Sequence, residues 1–237
     1  MEPLKAKDVC EIVKGVWVGG EPDKVFSGIS TDSRKIVPGD LFIPIKGENF
    51  DGHDYLPNAM SRGAVGIFTR PGVNLDFLQF RKELAVIQVD DPKYAMGELA
   101  RFYRARFPVK VIGVTGSNGK TSTKEMIAAI LEKTHNTIKN EGSFNNDIGL
   151  PLTLFRLNRQ TRILVQEMGM NHPGEIRRLV EICPPDIGVV TNVADAHIEY
   201  FGTKEAIAEA KFELLEKMSS QNIAVLNADD VLVSQFK

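Results

Sequence analysis

The stretch Val109-Lys-Val-Ile-Gly-Val-Thr-Gly-Ser-Asn-Gly-Lys-Thr121 joins an apolar, β-branched run to a glycine-rich loop. Residues 109–114 have the pattern of a buried strand, and residues 120–133 that of the helix that follows it. Glycines let a backbone approach phosphate oxygens closely, and the positive end of a helix favours the same anion. We therefore interpret the loop as a phosphate cradle for ATP. Its candidate ATP-binding residues are Thr115, Gly116, Ser117, Asn118, Gly119, Lys120, Thr121 and Ser122.

Two side chains of this loop are expected to do most of its chemistry. Lys120 is placed to reach the β- and γ-phosphates, and Thr121 to bind Mg²⁺ through its hydroxyl. The strict pattern G-x-x-x-x-G-K-[ST] is not met, because Val114 stands where its first glycine belongs and Gly113 lies one residue earlier. An ordinary strand-to-helix turn, capped by Thr121 or Ser122, is the alternative.

The sequence on both sides of the loop predicts an α/β fold in two domains. After the loop, strands at 162–166, 187–190 and 222–226 alternate with helices at 174–182 and 203–218, which predicts a mostly parallel sheet flanked by helices. Before it, shorter elements predict a small α/β domain with helices at 8–14 and 94–107 and strands at 40–45, 66–69 and 84–89. A long helix ends at Pro108, so the predicted domains are 1–107 and 108–237.

Composition narrows the class of protein. With 237 residues, 43% of them hydrophobic, the chain can bury the cores of one or two domains, and its net charge of -2 disfavours nucleic acid or an anionic membrane as the main partner. We find no signal peptide and no apolar run of about 20 residues, which predicts a cytoplasmic protein without membrane insertion. Two isolated cysteines, Cys10 and Cys183, indicate neither a disulfide framework nor a thiolate metal site.

A carboxylate is expected at the same sheet edge as the loop. Glu167 follows the apolar run 163–165, so it should emerge at the carboxyl end of a parallel strand, where it could bind Mg²⁺. A solvated glutamate at a strand end is the alternative. Asn145 and Asn146 lie in a Gly/Asn-rich segment that could line a nucleotide or a peptide, and we include them as candidate substrate-binding residues.

Lys211 stands out by its place on a predicted helix. Ile207, Lys211, Leu214 and Met218 recur at spacings of three and four, so the lysine lies in an apolar stripe, while the glutamates of this helix, Glu213 included, should lie mostly elsewhere. The amine could snorkel to water. If it is buried instead, its pKa falls and the neutral amine becomes a nucleophile able to capture carbon dioxide as a carbamate.

A polar cluster in the first domain suits a nucleotide diphosphate. Within Ser30-Thr-Asp-Ser-Arg34, the arginine offers a fork for phosphate oxygens and the serines offer donors, with the segment 47–53 close by in sequence. A hydrogen-bonded turn with a surface salt bridge is the plain alternative. The candidate substrate-binding residues here are Ser30, Asp32, Ser33, Arg34 and Asn49.

The spacing Thr115-Gly-x-Asn-Gly-Lys-Thr121 resembles the variant phosphate loop of the Mur ligases, ATP-dependent enzymes that build the peptidoglycan stem peptide. The resemblance extends over most of the second domain, and its motifs are most similar to the branch that adds D-alanyl-D-alanine. They are Asn140-Glu-Gly-Ser-Phe-Asn-Asn-Asp-Ile-Gly-Leu-Pro151, Glu167-Met-Gly-Met-Asn-His-Pro-Gly-Glu175 and Thr191-Asn-Val-Ala-Asp-Ala-His197.

The resemblance implies a reaction and a site. ATP would phosphorylate the terminal carboxylate of UDP-N-acetylmuramoyl-tripeptide, and D-alanyl-D-alanine would displace the phosphate, in a monomeric enzyme with two Mg²⁺ ions. It also implies that His197 binds the second Mg²⁺ and that Lys211 carries a carbamate. Asn227 would contact adenine, and the first domain would bind the UDP precursor. For His197, a histidine that bonds only its own loop is the alternative. The catalytic set is then Lys120, His197 and Lys211, and the metal set Thr121, Glu167, His197 and Lys211.

Three other functions stay open from the sequence: a related ligase that adds lysine or diaminopimelate, a P-loop kinase or nucleotide hydrolase, and a nucleotide-binding module without catalysis. The resembled enzymes carry a third, Rossmann-like domain after the ATP-binding domain. We therefore expect the central sheet to be incomplete at Lys237. We also expect the chain on its own to bind the precursor and, weakly, ATP, without forming an amide bond at a useful rate.

Overall fold

The computed structural model describes residues 1–76, 82–196 and 198–236. The chain divides into two compact units, Met1–Tyr103 and Arg104–Lys237. Within the described residues each unit holds one five-stranded sheet, and the first unit adds a two-stranded antiparallel pair.

The first unit is a small mixed sheet with short helices. Its five-stranded sheet has the order β2-β7-β6-β5-β4, in which only β2 runs antiparallel to its neighbour. The strands are β1 (Leu4–Lys5), β2 (Val16–Gly19), β3 (Val25–Phe26), β4 (Gly28–Ser30), β5 (Asp40–Phe42), β6 (Gly66–Thr69) and β7 (Ala85–Gln88). The helices are α1 (Ala6–Ile12), α2 (Leu56–Ser61) and α3 (Pro92–Ala105), the last of which runs past the division.

The second unit is built on a fully parallel sheet of order β12-β11-β8-β10-β9. Its strands are β8 (Lys110–Thr115), β9 (Thr137–Lys139), β10 (Ile163–Glu167), β11 (Ile187–Val190) and β12 (Ile223–Leu226). The helices are α4 (Lys120–Leu131), α5 (Gly149–Leu154), α6 (Glu175–Ile182), α7 (Ile198–Phe201) and α8 (Lys204–Phe212).

The central strand β8 is buried, as is typical of a parallel sheet with helices on both faces. All of its residues after Lys110 are buried, as expected for a strand packed on both faces. On one face Ile112 and Val114 join Ala128 of α4 and Val165 of β10 in a single apolar cluster. The edge strand β12 is less buried than β8. It pairs with β11, and its Ile223 and Val225 are 56% and 49% exposed.

The predicted α/β class and the parallel sheet flanked by helices are confirmed, with differences at several ends. The helix predicted at 203–218 ends at Phe212, and Glu213 is buried although the sequence pattern placed it off the apolar stripe. The reason is that its carboxylate accepts the backbone N–H groups of Gly174 and Arg177, both at 2.9 Å, and so caps α6.

The elements that the sequence pattern did not predict are short ones. They comprise β9, α5 and α7 in the second unit and β1 to β4 and α2 in the first, none longer than six residues. Segments of that length show too few repeats for a period of two or 3.6 to be recognised. No helix within the described residues is long and apolar enough to cross a membrane.

Candidate active site

The carboxyl ends of four parallel strands meet at one edge of the sheet in the second unit. The glycine-rich loop follows β8, Glu167 ends β10, Thr191 and Asn192 follow β11, and Asn227 follows β12. Asn227 donates to the backbone oxygen of Thr191 at 2.9 Å, which joins the last two of these segments. In open α/β sheets this edge is where ligands bind, so most of the residues predicted in this unit lie where the fold favours a site.

Two glycines give the loop its shape. Gly119 has φ +79° and directly precedes α4, a conformation that side chains with a Cβ seldom adopt. Gly116 has φ +146°, and a Cβ at this position would lie 1.9 Å from Thr191 Oγ1. The close approach of the two loops therefore requires glycine at 116.

The segment after β11 holds the loop from the side. Ser117 N–H donates to Asn192 O and Asn118 N–H to Asn192 Oδ1, both at 2.9 Å, while the Thr191 hydroxyl donates to Asn118 O at 2.7 Å. Lys120, Thr121 and Ser122 begin α4, and the N–H groups of a first helical turn have no intrahelical acceptor. A rigid loop thus leads into a helix end that can bind an anion.

The Lys120 side chain is turned back onto this loop. Its ammonium donates to the carbonyl oxygens of Gly116 at 2.7 Å and Ser117 at 3.0 Å. Burial lowers the pKa of Lys120, and the nearby Glu167 carboxylate opposes that shift. The ammonium is therefore held against the loop, where phosphate oxygens could replace the two carbonyls as acceptors.

Glu167 is held from several sides. Its side chain is buried, with 2% of the residue exposed, and its two carboxylate oxygens accept the Thr121 hydroxyl at 2.8 Å and the Asn145 amide at 2.7 Å. Its own backbone N–H donates to Asn140 Oδ1 at 2.8 Å. A carboxylate beside a hydroxyl is a donor set that Mg²⁺ accepts, so these residues fit the expected ion. Within the described residues, no cluster of three histidine, cysteine or acidic side chains forms a complete metal site.

Lys211 is buried rather than snorkelling. Only 3% of the residue is exposed, and among the described residues its ammonium makes no hydrogen bond or ion pair. Burial first, and repulsion by the nearby Lys120 second, lower its pKa from 10.5 to about 7. Near neutral pH a large fraction of this amine is uncharged, which is the form that reacts with carbon dioxide.

Three other predicted residues have different outcomes. His197 lies outside the described residues. Asn146 is exposed and accepts the N–H groups of Ile148 and Gly149, which places it at the start of α5. Ser122 is exposed in the first turn of α4.

In the first unit, the predicted polar cluster borders a cleft of about 410 Å³. Asp32 accepts from Arg34 through its backbone N–H at 3.0 Å and its guanidinium at 2.9 Å, which holds the pKa of Asp32 at about 2. Ser30 bonds the backbone of Asp32, Ser33 is buried, and Asn49 is exposed. The hydrogen-bonded turn with a surface ion pair is thus present. The cleft is lined by Thr31, Asp32, Ser33, Arg34, Phe42, Phe50, Gly52 and Tyr55.

A larger cavity, of about 710 Å³, lies along α8 and the end of the second unit. Glu213 and Arg177 line it together with Phe212 and Phe236. None of the site residues predicted from the sequence is among its lining within the described chain. This cavity is therefore not the candidate active site, although it is larger than the cleft in the first unit.

Sequence reasoning missed two buried polar residues next to Glu167, namely Lys124 and Asn140. Lys124 recurs with Ala128 and Leu131 at spacings of four and three, the same kind of signal that singled out Lys211. Asn140 opens one of the motifs quoted above, but nothing in its local sequence indicates that it bonds a residue 27 positions later.

Comparisons with known proteins show the family to which this fold and sequence correspond. A family model described as the Mur ligase middle domain matches residues 114–237, and one described as the Mur ligase family catalytic domain matches residues 25–104. The chain is 40% identical over 228 residues to the UDP-N-acetylmuramoyl-tripeptide–D-alanyl-D-alanine ligase of Bacillus subtilis, which covers 96% of this chain and 49% of that protein. The chain thus spans about half the length of the curated relatives it matches.

Two solved structures are similar in fold and in sequence. A crystal structure of MurF from Acinetobacter baumannii superposes with a TM-score of 0.91 at 32% identity, over 100% of this chain and 51% of that one. The MurF ligase of Thermotoga maritima in complex with ADP superposes with a TM-score of 0.78 at 37% identity, over 88% of this chain and 47% of that one.

Proposed function

The chain belongs to the Mur ligase family, and from that premise we propose that it binds ATP and a UDP-linked precursor in an enzyme that joins D-alanyl-D-alanine to UDP-N-acetylmuramoyl-tripeptide. The observation that carries the proposal is the contact of Thr121, in the phosphate loop, with the buried Glu167 beside Lys120. The MurF structure from Thermotoga maritima is a complex with ADP, which supports the binding of an adenine nucleotide.

The proposed reaction has two steps. A carboxylate oxygen of the tripeptide attacks the γ-phosphorus of ATP, the bond to the β,γ-bridging oxygen breaks, and ADP leaves. The amine of D-alanyl-D-alanine then attacks the acyl phosphate carbon, the carbon–oxygen bond to phosphate breaks, and the amine loses a proton. Both steps bring several anions together, so the chain must supply fixed positive charge and donors where negative charge develops.

The residues of the second unit take separate roles in this scheme. Lys120 binds the β- and γ-phosphates, and the backbone from Thr115 to Ser122 orients them. Thr121 and Glu167 hold Mg²⁺, and Asn145 keeps the Glu167 carboxylate in position. When bound, Mg²⁺ neutralises part of the triphosphate charge. We also assign His197 to a second Mg²⁺ and Asn227 to the adenine.

We propose that Lys211 carries a carbamate in the assembled site. The neutral amine attacks the carbon of carbon dioxide, a nitrogen–carbon bond forms, and one proton leaves the nitrogen for solvent. The pKa of about 7 and the absence of a partner for the ammonium among the described residues support this, because the product replaces a poorly solvated cation near Lys120 by an anion. Binding of ¹³C-bicarbonate, followed by carbon NMR in the chain and in Lys211→Met, tests it. A signal of equal size in both would contradict it.

The first unit is proposed to bind the UDP part of the precursor. Arg34 would take the diphosphate, and Ser30, Asp32, Ser33 and Asn49 would complete the site around the cleft. Because ATP is an intracellular substrate, the reaction is placed in the cytoplasm. A monomer is expected, which light scattering on the purified chain measures directly.

An assay of ATP-dependent phosphate release tests the proposed function. UDP-N-acetylmuramoyl-tripeptide and the corresponding dipeptide precursor are each offered with D-alanyl-D-alanine, lysine or diaminopimelate, and products are identified by mass spectrometry. Since the chain spans about half the length of its curated relatives, each arm is run alone and with the second half of the Bacillus subtilis relative as a separate polypeptide.

The arms separate the alternatives. Phosphate release and an amide product that need both the tripeptide precursor and D-alanyl-D-alanine are the expected result. Release that needs the dipeptide precursor with lysine or diaminopimelate would identify the related ligase, and release with ATP alone a kinase or hydrolase. Binding of ATP and precursor without release in either setting would identify a nucleotide-binding module.

A further inference from the structure

Lys124 is a fully buried lysine one helical turn beyond Lys120 on α4. No part of the residue is exposed. Its ammonium donates to the backbone oxygens of Asn140 at 2.9 Å and Gly142 at 3.2 Å, and it lies 3.1 Å from Glu125 Oε1. An ammonium has three protons, so this buried cation has three acceptors for three donors. A buried group whose donors are all bonded is held rigidly. Lys124 has no role in the proposed reaction.

The segment that Lys124 holds is the one that positions Glu167. Asn140, also fully buried, accepts the Glu167 backbone N–H through its side chain and donates to Gly142 O at 3.3 Å. Five residues on, Asn145 donates to the Glu167 carboxylate and accepts the Gly169 N–H through its backbone. The position of Glu167 relative to α4 therefore depends on where the Asn140–Gly142 carbonyls lie, and Lys124 binds both of them.

We propose that Lys124 is a positioning residue for the divalent-cation site. It ties α4, which carries Thr121, to the segment 140–145, which orients Glu167, and so sets the spacing between the Thr121 hydroxyl and the Glu167 carboxylate. The proposal rests on the proposed function, because that function assigns a divalent cation to these two groups. Groups that orient metal ligands typically contribute 10- to 100-fold to metal affinity.

The surroundings of Lys124 allow a clean substitution. Lys124→Met keeps the length and apolar stem of the side chain but removes the ammonium. Glu125 stays paired, because Lys139 contacts its other oxygen, and Glu125 is only half-buried. The matched control is Lys139→Met, which removes the same charge and a contact to the same glutamate but leaves the Asn140 and Gly142 carbonyls bonded.

The experiment measures ATP binding by calorimetry while MgCl₂ is varied, with binding in EDTA as the reference. We expect Lys124→Met to need about tenfold more Mg²⁺ for half-maximal ATP binding, with binding in EDTA changed less than about twofold. Lys139→Met should match the unsubstituted chain in both. Amide hydrogen exchange over residues 140–146 should accelerate in Lys124→Met only. A purely structural lysine would lower the melting temperature without moving the Mg²⁺ midpoint.

The outcomes are distinguishable. An unchanged Mg²⁺ midpoint in folded Lys124→Met overturns this proposal and leaves the proposed function standing, whereas no Mg²⁺-dependent ATP binding by the unsubstituted chain overturns both. If the methionine variant does not fold, Lys124→Arg decides. Its planar fork cannot converge on three oxygens as an ammonium does, so we expect a smaller shift of the midpoint in the same direction. A folded arginine variant with an unshifted midpoint then overturns the proposal.

Discussion

The candidate sites of the two units differ in how their charged groups are held. In the second unit, Glu167 is 2% exposed and receives hydrogen bonds from Thr121 and Asn145. In the first unit, the Arg34 side chain is 82% exposed and its main partner, Asp32, lies only two residues away. The arrangement around Glu167 depends on the tertiary fold, whereas the arrangement around Arg34 depends on little more than a local turn.

The difference has consequences for binding. Buried, immobilised groups are already arranged for a ligand and are weakly screened, so they contribute strongly. An exposed arginine must give up or share its carboxylate partner to bind a phosphate, and the low pKa of Asp32 keeps that partner charged at neutral pH. We therefore expect substitutions in the second unit to have larger effects than those in the first, and the predictions test that ranking.

The largest effect is expected from Lys120→Ala. It should abolish the ATP-dependent turnover measured together with the second half of the Bacillus subtilis relative, and weaken ATP binding about 1000-fold, because two charge-assisted hydrogen bonds of about 2 kcal/mol each are lost. Binding of the UDP precursor should not change, which calorimetry with each ligand measures. Normal turnover in this variant would remove the assignment of the phosphate loop. Weakened precursor binding would show that the two sites are not independent.

Lys211→Met comes next, with stability as the measured quantity. Because the pKa of Lys211 is lowered from 10.5 to about 7 in the folded state, the unfolded chain binds more protons between these pH values, so stability rises with pH across that window. The gain is on the order of 5 kcal/mol, since each pH unit between 7 and 10.5 contributes about 1.4 kcal/mol, and it is absent below pH 7, where both states are protonated. Lys211→Met should lack this rise when urea unfolding is followed without bicarbonate. Equal pH dependence of stability in both proteins would contradict the lowered pKa of Lys211 in the folded chain.

A pair of glycines tests the rigidity of the phosphate loop. Gly116→Ala should lower the free energy of unfolding by about 2 kcal/mol, since its Cβ would meet Thr191. Gly119→Ala meets nothing within 4 Å, so it should cost only the strain of its positive φ, about 1 kcal/mol. Chemical denaturation of both variants measures the difference. The reverse order would mean that the contact with the loop after β11 does not shape the cradle.

The smallest effect is expected from Arg34→Ala. Precursor binding should weaken about tenfold, because one exposed charge contacts the diphosphate. The effect should shrink further as salt is raised, and ATP binding should not change. Asp32→Asn frees the arginine from its charged partner and is the matched control, expected to bind the precursor at least as tightly. A large, salt-independent loss of precursor binding in Arg34→Ala would mean that this cleft holds its ligand with groups as well fixed as those of the second unit.

The sequence predicted what depends on local pattern. The strand, loop and helix around Lys120 were predicted because glycine spacing and apolar period are readable within a dozen residues, and the burial of Lys211 was predicted as one of two alternatives from its helical stripe. The Lys124–Asn140–Glu167 contacts were not predicted, because they join residues separated by up to 27 positions. In the first unit the local alternative, a turn with an Asp32–Arg34 ion pair, is present, and the sequence alone did not decide what else the cleft does.

The edge strand β12 has a consequence for the behaviour of the chain in solution. Its Ile223 and Val225 are largely exposed, and it pairs on one side, with β11, in the described part of the sheet. A row of free peptide groups flanked by β-branched side chains is a template on which a strand of another molecule can add. We therefore expect this strand to be the place where copies of the chain associate at high concentration, and a lysine on its exposed face to oppose that association.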